Sequence, residues 1–421
     1  MKHHSLHLSL LAIASSLISV PALCAEKPRG EPQAGPWMVR IADEAPVVAA
    51  SFADGRLLLL HARTKDVLKS LPAATGAAEL WRLDMDRSGD LVALLTRDNR
   101  VWHWRWRTED APHVVATLSG ELGTWEGWRF GAALEFGPAG KRLFVGHARG
   151  GALLLDGEEK AIVTFGDRGP ASPQPGEADA GIVDEDGKKW RAVRATGFDF
   201  PRSWSKDGER LALITEGGCS VFSTDDGRLL ASGIGPEDGS AESLALSPEG
   251  DHLVAGCYGG ALVKYEVATG KEIWRHLNTG SMGMGHDPSI FPLSFGAVQF
   301  SPDGTLVSAT TTTGIHAVLL RASSGELAWK GKHCGGRMGE PAEIVWQPDS
   351  KSFFFAFVSG VMSIHQVRLR EESASGFAEE QTRAVGTLPD FGWDGVGVFN
   401  GSKAITAVSD ADFRLLWATE G

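Results

Sequence analysis

Two stretches of this chain match each other without a gap: "VVAASFADGRLLLLHARTKDVLKSL" at 47–71 and "LVAGCYGGALVKYEVATGKEIWRHL" at 253–277. Each reads as an apolar strand, a two-residue turn containing glycine, an alternating strand, a polar turn and a closing strand. Alternation with period two marks strands buried on one face. The pairs Asp54-Gly55 and Gly259-Gly260 supply the positive φ that a tight hairpin needs. Such a unit cannot bury both faces alone, so it must stack on copies of itself.

Copies are found along the whole chain. The phrase "SLALSPEGDHL" (243–253) has relatives in "RLDMDRSGDL" (82–91), "ALEFGPAGKRL" (133–143), "SWSKDGERL" (203–211), "AVQFSPDGTL" (297–306), "VWQPDSKSF" (345–353) and "VGVFNGSKAI" (396–405). Each joins two apolar strands through Pro, Asp or Gly turn chemistry. With Trp37–Ile41 as the first inner strand, the phase yields eight units of four antiparallel strands, each roughly 45 to 50 residues long. The expected fold is all-β, a β-propeller of eight blades over residues 37–421 as one domain. A count of seven stays open, because the last segment reaches Gly421 before any fourth strand; that strand is supplied by the N-terminal tail, 26–36, or is absent. Residues 165–196, rich in Pro, Gly and acid, interrupt the repeat as an inserted loop, with "GIVDEDGKKWRAV" as a hairpin tipped by Glu185-Asp186-Gly187.

The Ser-Pro-Asp-Gly turns resemble those of WD-repeat propellers. Thr269-Gly270-Lys271-Glu272-Ile273-Trp274 is similar to the blade-closing phrase of quinoprotein-type propellers, and Ser324-Gly325-Glu326-Leu327-Ala328-Trp329 repeats it loosely. The resemblance covers most of the chain and implies the fold, not an activity. A quinone enzyme would need the phrase in nearly every blade and adjacent cysteines under the cofactor, and no two cysteines here are adjacent. Trp274 and Trp329 are therefore expected to seal seams between blades. The same packing role is expected of Trp102, Trp104 and Trp106 in "VWHWRW", with His103 and Arg105 on the opposite strand face.

The first 25 residues read as a signal peptide: Lys2, an apolar run from Leu6 to Val20, then Leu23-Cys24-Ala25 before Glu26. Acylation of Cys24 is the alternative, disfavoured because Leu23 is not small. The expected location is extracytoplasmic, periplasmic or secreted, with no membrane span. A net charge of −12 and the lack of a basic stripe exclude nucleic acid as a partner. Of four cysteines, Cys219, Cys257 and Cys334 follow the signal; the odd count allows one disulfide and a free thiol or leaves all three for other work, and a disulfide between two of them is expected over a soft-metal site. Covalent haem is excluded by the lack of a Cys-x-x-Cys-His, and the motifs of serine hydrolases, phosphate loops and zincins are missing too.

In a propeller the segments between blades and the turns between second and third strands share one face. The long ones here are 165–200, 276–296 and 331–341. Met282, Met284 and His286 lie on one, and His333, Cys334 and Met338 on another, so three of the seven methionines meet imidazole and thiol there. Thioether, thiolate and imidazole suit copper. His147, Cys257, His276, His316 and Arg337 extend the same face. The expected function is non-enzymatic: a monomeric platform that binds a protein partner through this face, without a cofactor. The alternative is a metal- or small-molecule-binding propeller, a redox enzyme being one form of it, with copper at the Met/His/Cys residues.

Overall fold

The computed structural model describes residues 36–418 apart from 43, 53–55, 62–63, 65, 72–79, 119–131, 148–151, 166–181, 184–188, 191–200, 216–217, 237–240, 258–259, 278–294, 312–316, 331–343, 347–348, 359–361, 370–382, 388–397, 402–403 and 409–414. Among these residues there is no helix, and no segment could cross a membrane as one. Seven four-stranded sheets and one of three strands follow each other at 36–71, 80–117, 132–165, 202–234, 241–277, 295–330, 344–387 and 398–418, here numbered first to eighth. Strand order in every sheet is chain order, and neighbouring strands are antiparallel. The inserted segment contributes a two-stranded hairpin, Ile182–Val183 with Lys189–Trp190, around the expected tip.

Local sequence explains the repetition. At the turn from first to second strand, Ser205, Ser247 and Ser301 each accept on Oγ the N–H that opens the next strand, from Arg210 (3.0 Å), His252 (3.0 Å) and Leu306 (2.9 Å). Each hydroxyl donates in turn to the aspartate of its turn, Asp207, Asp251 or Asp303. Asp86 does the same work in the second sheet, accepting from Leu91 N at 2.9 Å. Glycine then closes the turn with φ near +70° at Gly89, Gly140, Gly208, Gly250 and Gly304, a conformation that a Cβ disfavours. Ser350 takes that position in the seventh sheet, at φ 58°. A β-bulge also recurs between third and fourth strands of all seven four-stranded sheets, for example at Leu59/Leu60, Lys264/Tyr265 and Leu319/Leu320, and adds to the strand twist.

The core lies between sheets. Six apolar clusters each join one sheet to the next, from first-with-second to sixth-with-seventh. Trp104 and Trp106 are buried against the first sheet with Trp102 packed beside them, as the strand alternation implied. Trp274 crosses to the sixth sheet, where its Nε1 donates to Ala322 O at 2.9 Å. Trp329 meets Phe353 of the seventh sheet edge-on, with ring centroids 5.6 Å apart. These indoles seal seams.

Candidate functional site

Met282, Met284, His286, His316, His333, Cys334, Arg337 and Met338 lie outside the described residues, as does the side chain of His147, whose backbone ends the strand Arg142–His147. Two members of the predicted face are described, Cys257 and His276. Cys257, only 2% exposed, is buried in the cluster between the fourth and fifth sheets. His276 is half-buried on the outermost strand of the fifth sheet and bonds the Gly325 backbone, while burial holds its imidazole below the usual histidine range. The expected disulfide fails for two of its three candidate residues: Cys219 and Cys257 are thiols. Burial, with the neighbouring Cys257 adding to it, pushes the Cys219 thiol up to about 12, so it is no thiolate nucleophile at neutral pH. Tyr265 of the same cluster is likewise raised by burial, and its hydroxyl has no hydrogen-bond partner.

The polar side chains that do converge sit at two levels of the same seam, between the second and third sheets. At the inner level, Asp84 of Leu80–Met85 accepts from Phe136 N of Ala132–Phe136 (2.7 Å) and from Arg40 Nε of Pro36–Ile41 (3.2 Å). Burial raises its carboxyl to about 6, outweighing Arg40 and the Phe136 N–H, which pull the other way. Glu135 next to Phe136 pairs with Arg202 of the fourth sheet's first strand. The register explains the placement. Asp84, Glu135, Ser203 and Ala245 stand one residue before the last of their strands' closing phrase, so Ser203 Oγ likewise accepts from Leu246 N of the next sheet, at 2.9 Å. First strands are thus stitched by a side-chain acceptor where one exists.

At the outer level, Glu159 gathers three donors from the second sheet: His103 Nδ1 (3.2 Å), Arg105 Nη1 (3.0 Å) and His113 Nε2 (2.9 Å). Burial alone would raise this carboxyl, but the bonds from His113, Arg105 and His103 hold it down to about 2. His103 is 2% exposed, its Nε2 has no partner among the described residues, and burial lowers its imidazole below the ordinary range. Counting from the paired ends of second and third strands, His103 is equivalent to Leu59, Leu154, Val221, Lys264 and Leu319. Glu159, at φ 70°, occupies the turn-closing position held elsewhere by Gly227, Gly270 and Gly325. Histidine at an apolar position and glutamate at a glycine position are the signal that aligning the repeats could have found.

Chemically, this is a carboxylate-oriented histidine without access to a substrate, closed on one side by Arg105. Among the described residues no set of three or more His, Cys, Asp or Glu side chains is arranged to hold a metal ion. Comparison with models of known families and with curated proteins found no match for this chain.

Proposed function

We propose that the chain is an exported, WD-repeat-like β-propeller of eight blades that works as a protein-interaction platform. The carrying observation is the stacking. Each of six apolar clusters joins one sheet to the next in chain order, and the first strand of the first sheet lies beside that of the eighth, Val398–Gly401. That arrangement favours a ring. Its buried polar groups serve the frame: Asp84 and Ser203 accept from the next sheet's backbone, and Lys264 donates to Ala322 O at 2.9 Å. A stiff frame suits binding, because loops fixed on it lose less conformational freedom on contact. The segments that leave fourth strands, among them 278–294 and 331–343, provide the binding face in this reading.

The test is affinity capture with the mature chain from an exported preparation, beside a variant in which 278–294 and 331–343 are replaced by short Gly-Ser links. A stoichiometric partner retained by the first and lost by the second is the expected result. Elemental analysis of the same sample decides the other reading: about one bound copper per chain, released by replacing Met284, His286 and His333, would overturn the platform in favour of a metal site.

A further inference from the structure

Two seams of this molecule follow one backbone plan but close by different chemistry. Between the fifth and sixth sheets, Lys264 Nζ and Trp274 Nε1 both donate to Ala322 O, each at 2.9 Å, and the Trp274 ring lies flat against Gly325. Lys264 and Trp274 face each other across two strands, as His103 and His113 do in the second sheet. In the second sheet, therefore, two imidazoles take the places of an ammonium and an indole. Their acceptor is a side-chain carboxylate, Glu159, in place of a backbone carbonyl.

We propose that the outer edge of the seam between the second and third sheets is an acid-operated latch, closed by Glu159 on His103, Arg105 and His113, and opened by proton uptake at His103. With its proton on Nδ1, neutral His103 donates to Glu159 and leaves Nε2 as a bare lone pair. A second proton puts an N–H with no acceptor among the described residues into a buried space, beside the Phe136 ring whose centroid lies 6.2 Å from that of the imidazole. The charged ring is accommodated only when the third sheet's turn moves off and Nε2–H reaches water. Burial accordingly holds His103 below the ordinary histidine range in the closed seam. The open state binds the extra proton, so the closed state loses ground as pH falls below that range.

The surrounding charges fit this direction. From the second sheet, Arg105 and His113 face the same carboxylate, and Glu109 stands 3.5 Å from His113 Nδ1. From the third sheet's own turn, Glu158 and Lys160 pair with each other at 3.1 Å, and Asp156 accepts from their backbone N–H groups. Burial opposes a charge on His103 most; Glu159 favours one, and Arg105 and His113, when charged, oppose it, so the balance stays against the charge. At the inner edge burial raises the Asp84 carboxyl, so the closed seam favours its protonated form and acid does not act against closure there.

Hydrogen–deuterium exchange on the full chain, at pH 7 and pH 5 with intrinsic amide rates removed, tests the latch. Amides of His113–Thr117 and Ala161–Phe165 are expected to lose protection, by up to about tenfold per pH unit for one proton taken up. Those of Glu272–Leu277 and Leu327–Lys330, where His276 bonds a backbone group and no carboxylate closes the turn, serve as the comparison and should change less. His103→Leu, which installs the residue found at Leu59, Leu154 and Leu319, should make the outer edge insensitive to pH. Equal responses at both seams, no response at either, or a wild-type response in H103L would each overturn the proposal. The comparison of seams within the natural chain decides the matter even if H103L fails to fold.

Discussion

The seam between the second and third sheets sets carboxylates against cations from its inner strands to its outer turn, whereas the seam between the fifth and sixth sets one buried ammonium, Lys264, against a backbone carbonyl. Where the former has Asp84, the latter has Ala245; where the former has Glu159, the latter has Gly325. Ser243 adds a second bond to backbone there, donating to Phe295 O at 2.7 Å. The same fold of strands thus accepts two sealing chemistries, provided both sides of a seam change together. A Cβ on Gly325 would meet the Trp274 ring at 2.7 Å, so a glutamate fits that turn only where the facing residue is something like His113. The indole seam is sensitive to volume and the carboxylate seam to protons.

The largest expected effect attacks the indole seam. Gly325→Ala must tolerate both a left-handed φ and a clash with Trp274, together costing about 3 kcal/mol. Gly270→Ala carries the same φ with nothing within 4 Å, and should cost only about 1 kcal/mol. Urea denaturation of the two variants separates sterics from backbone strain. Equal losses would mean that Trp274 does not press on the turn.

Asp84 gives the next effect and carries a definite sign. Its carboxyl is raised from 3.8 to about 6 in the folded chain, so the folded state binds the extra proton between those values. Stability from this group is therefore full below 3.8 and is lost as pH rises toward about 6. Compared with Asp84→Asn, the natural chain should lose about 2–3 kcal/mol between pH 4 and pH 7, read as diverging denaturation midpoints. Parallel curves would show that Arg40 cancels the burial.

Glu159 works in the opposite direction. Its carboxyl falls from 4.5 to about 2 on folding, so its contribution is complete above 4.5 and disappears as pH falls toward about 2. Glu159→Gln keeps an acceptor but not the charge. It should cost about 2 kcal/mol at pH 7, allowing for partial exposure, and nothing at pH 2. A loss independent of pH would assign the seam to shape alone.

The sheets were legible because their cues are local. Ser-Pro-Asp-Gly turns, alternation and the closing Trp274 each act within a few residues, and the hairpin at 182–190 followed from the same turn chemistry. Even the final segment, read as lacking a fourth strand, is a three-stranded sheet among the described residues. The polar seam was not legible in that way. His103 and Glu159 are 56 positions apart, and each reads alone as an ordinary surface residue of its strand or turn. Their meeting depends on which face of one sheet covers the turn of the next, which no window of sequence contains. Cys257 misled for a related reason: a thiol beside a Gly-rich turn looks surface-bound, yet the strand Ala241–Leu246 pairs over it and the neighbouring sheet buries it.

The smallest effect concerns a turn that takes the glycine conformation without a glycine. Ser350 holds φ 58° where five sister turns carry glycine, and its Oγ accepts from Asp303 N of the sixth sheet at 3.0 Å. Ser350→Gly relieves about 1 kcal/mol of backbone strain and forfeits a bond of similar worth, so its net effect should lie within about 0.5 kcal/mol of zero. Ser350→Ala keeps the strain and loses the bond, and should cost about 1 kcal/mol. The loss on alanine, measured by thermal unfolding, tells whether the serine is kept for the seam, and the difference between alanine and glycine reads the backbone strain. If alanine costs nothing and glycine stabilises by about 1 kcal/mol, the hydroxyl contributes nothing across the sheets. If only alanine suffers, this turn repeats in miniature what Glu159 does at the second seam: it accepts strain in its own backbone to reach a partner in the next sheet.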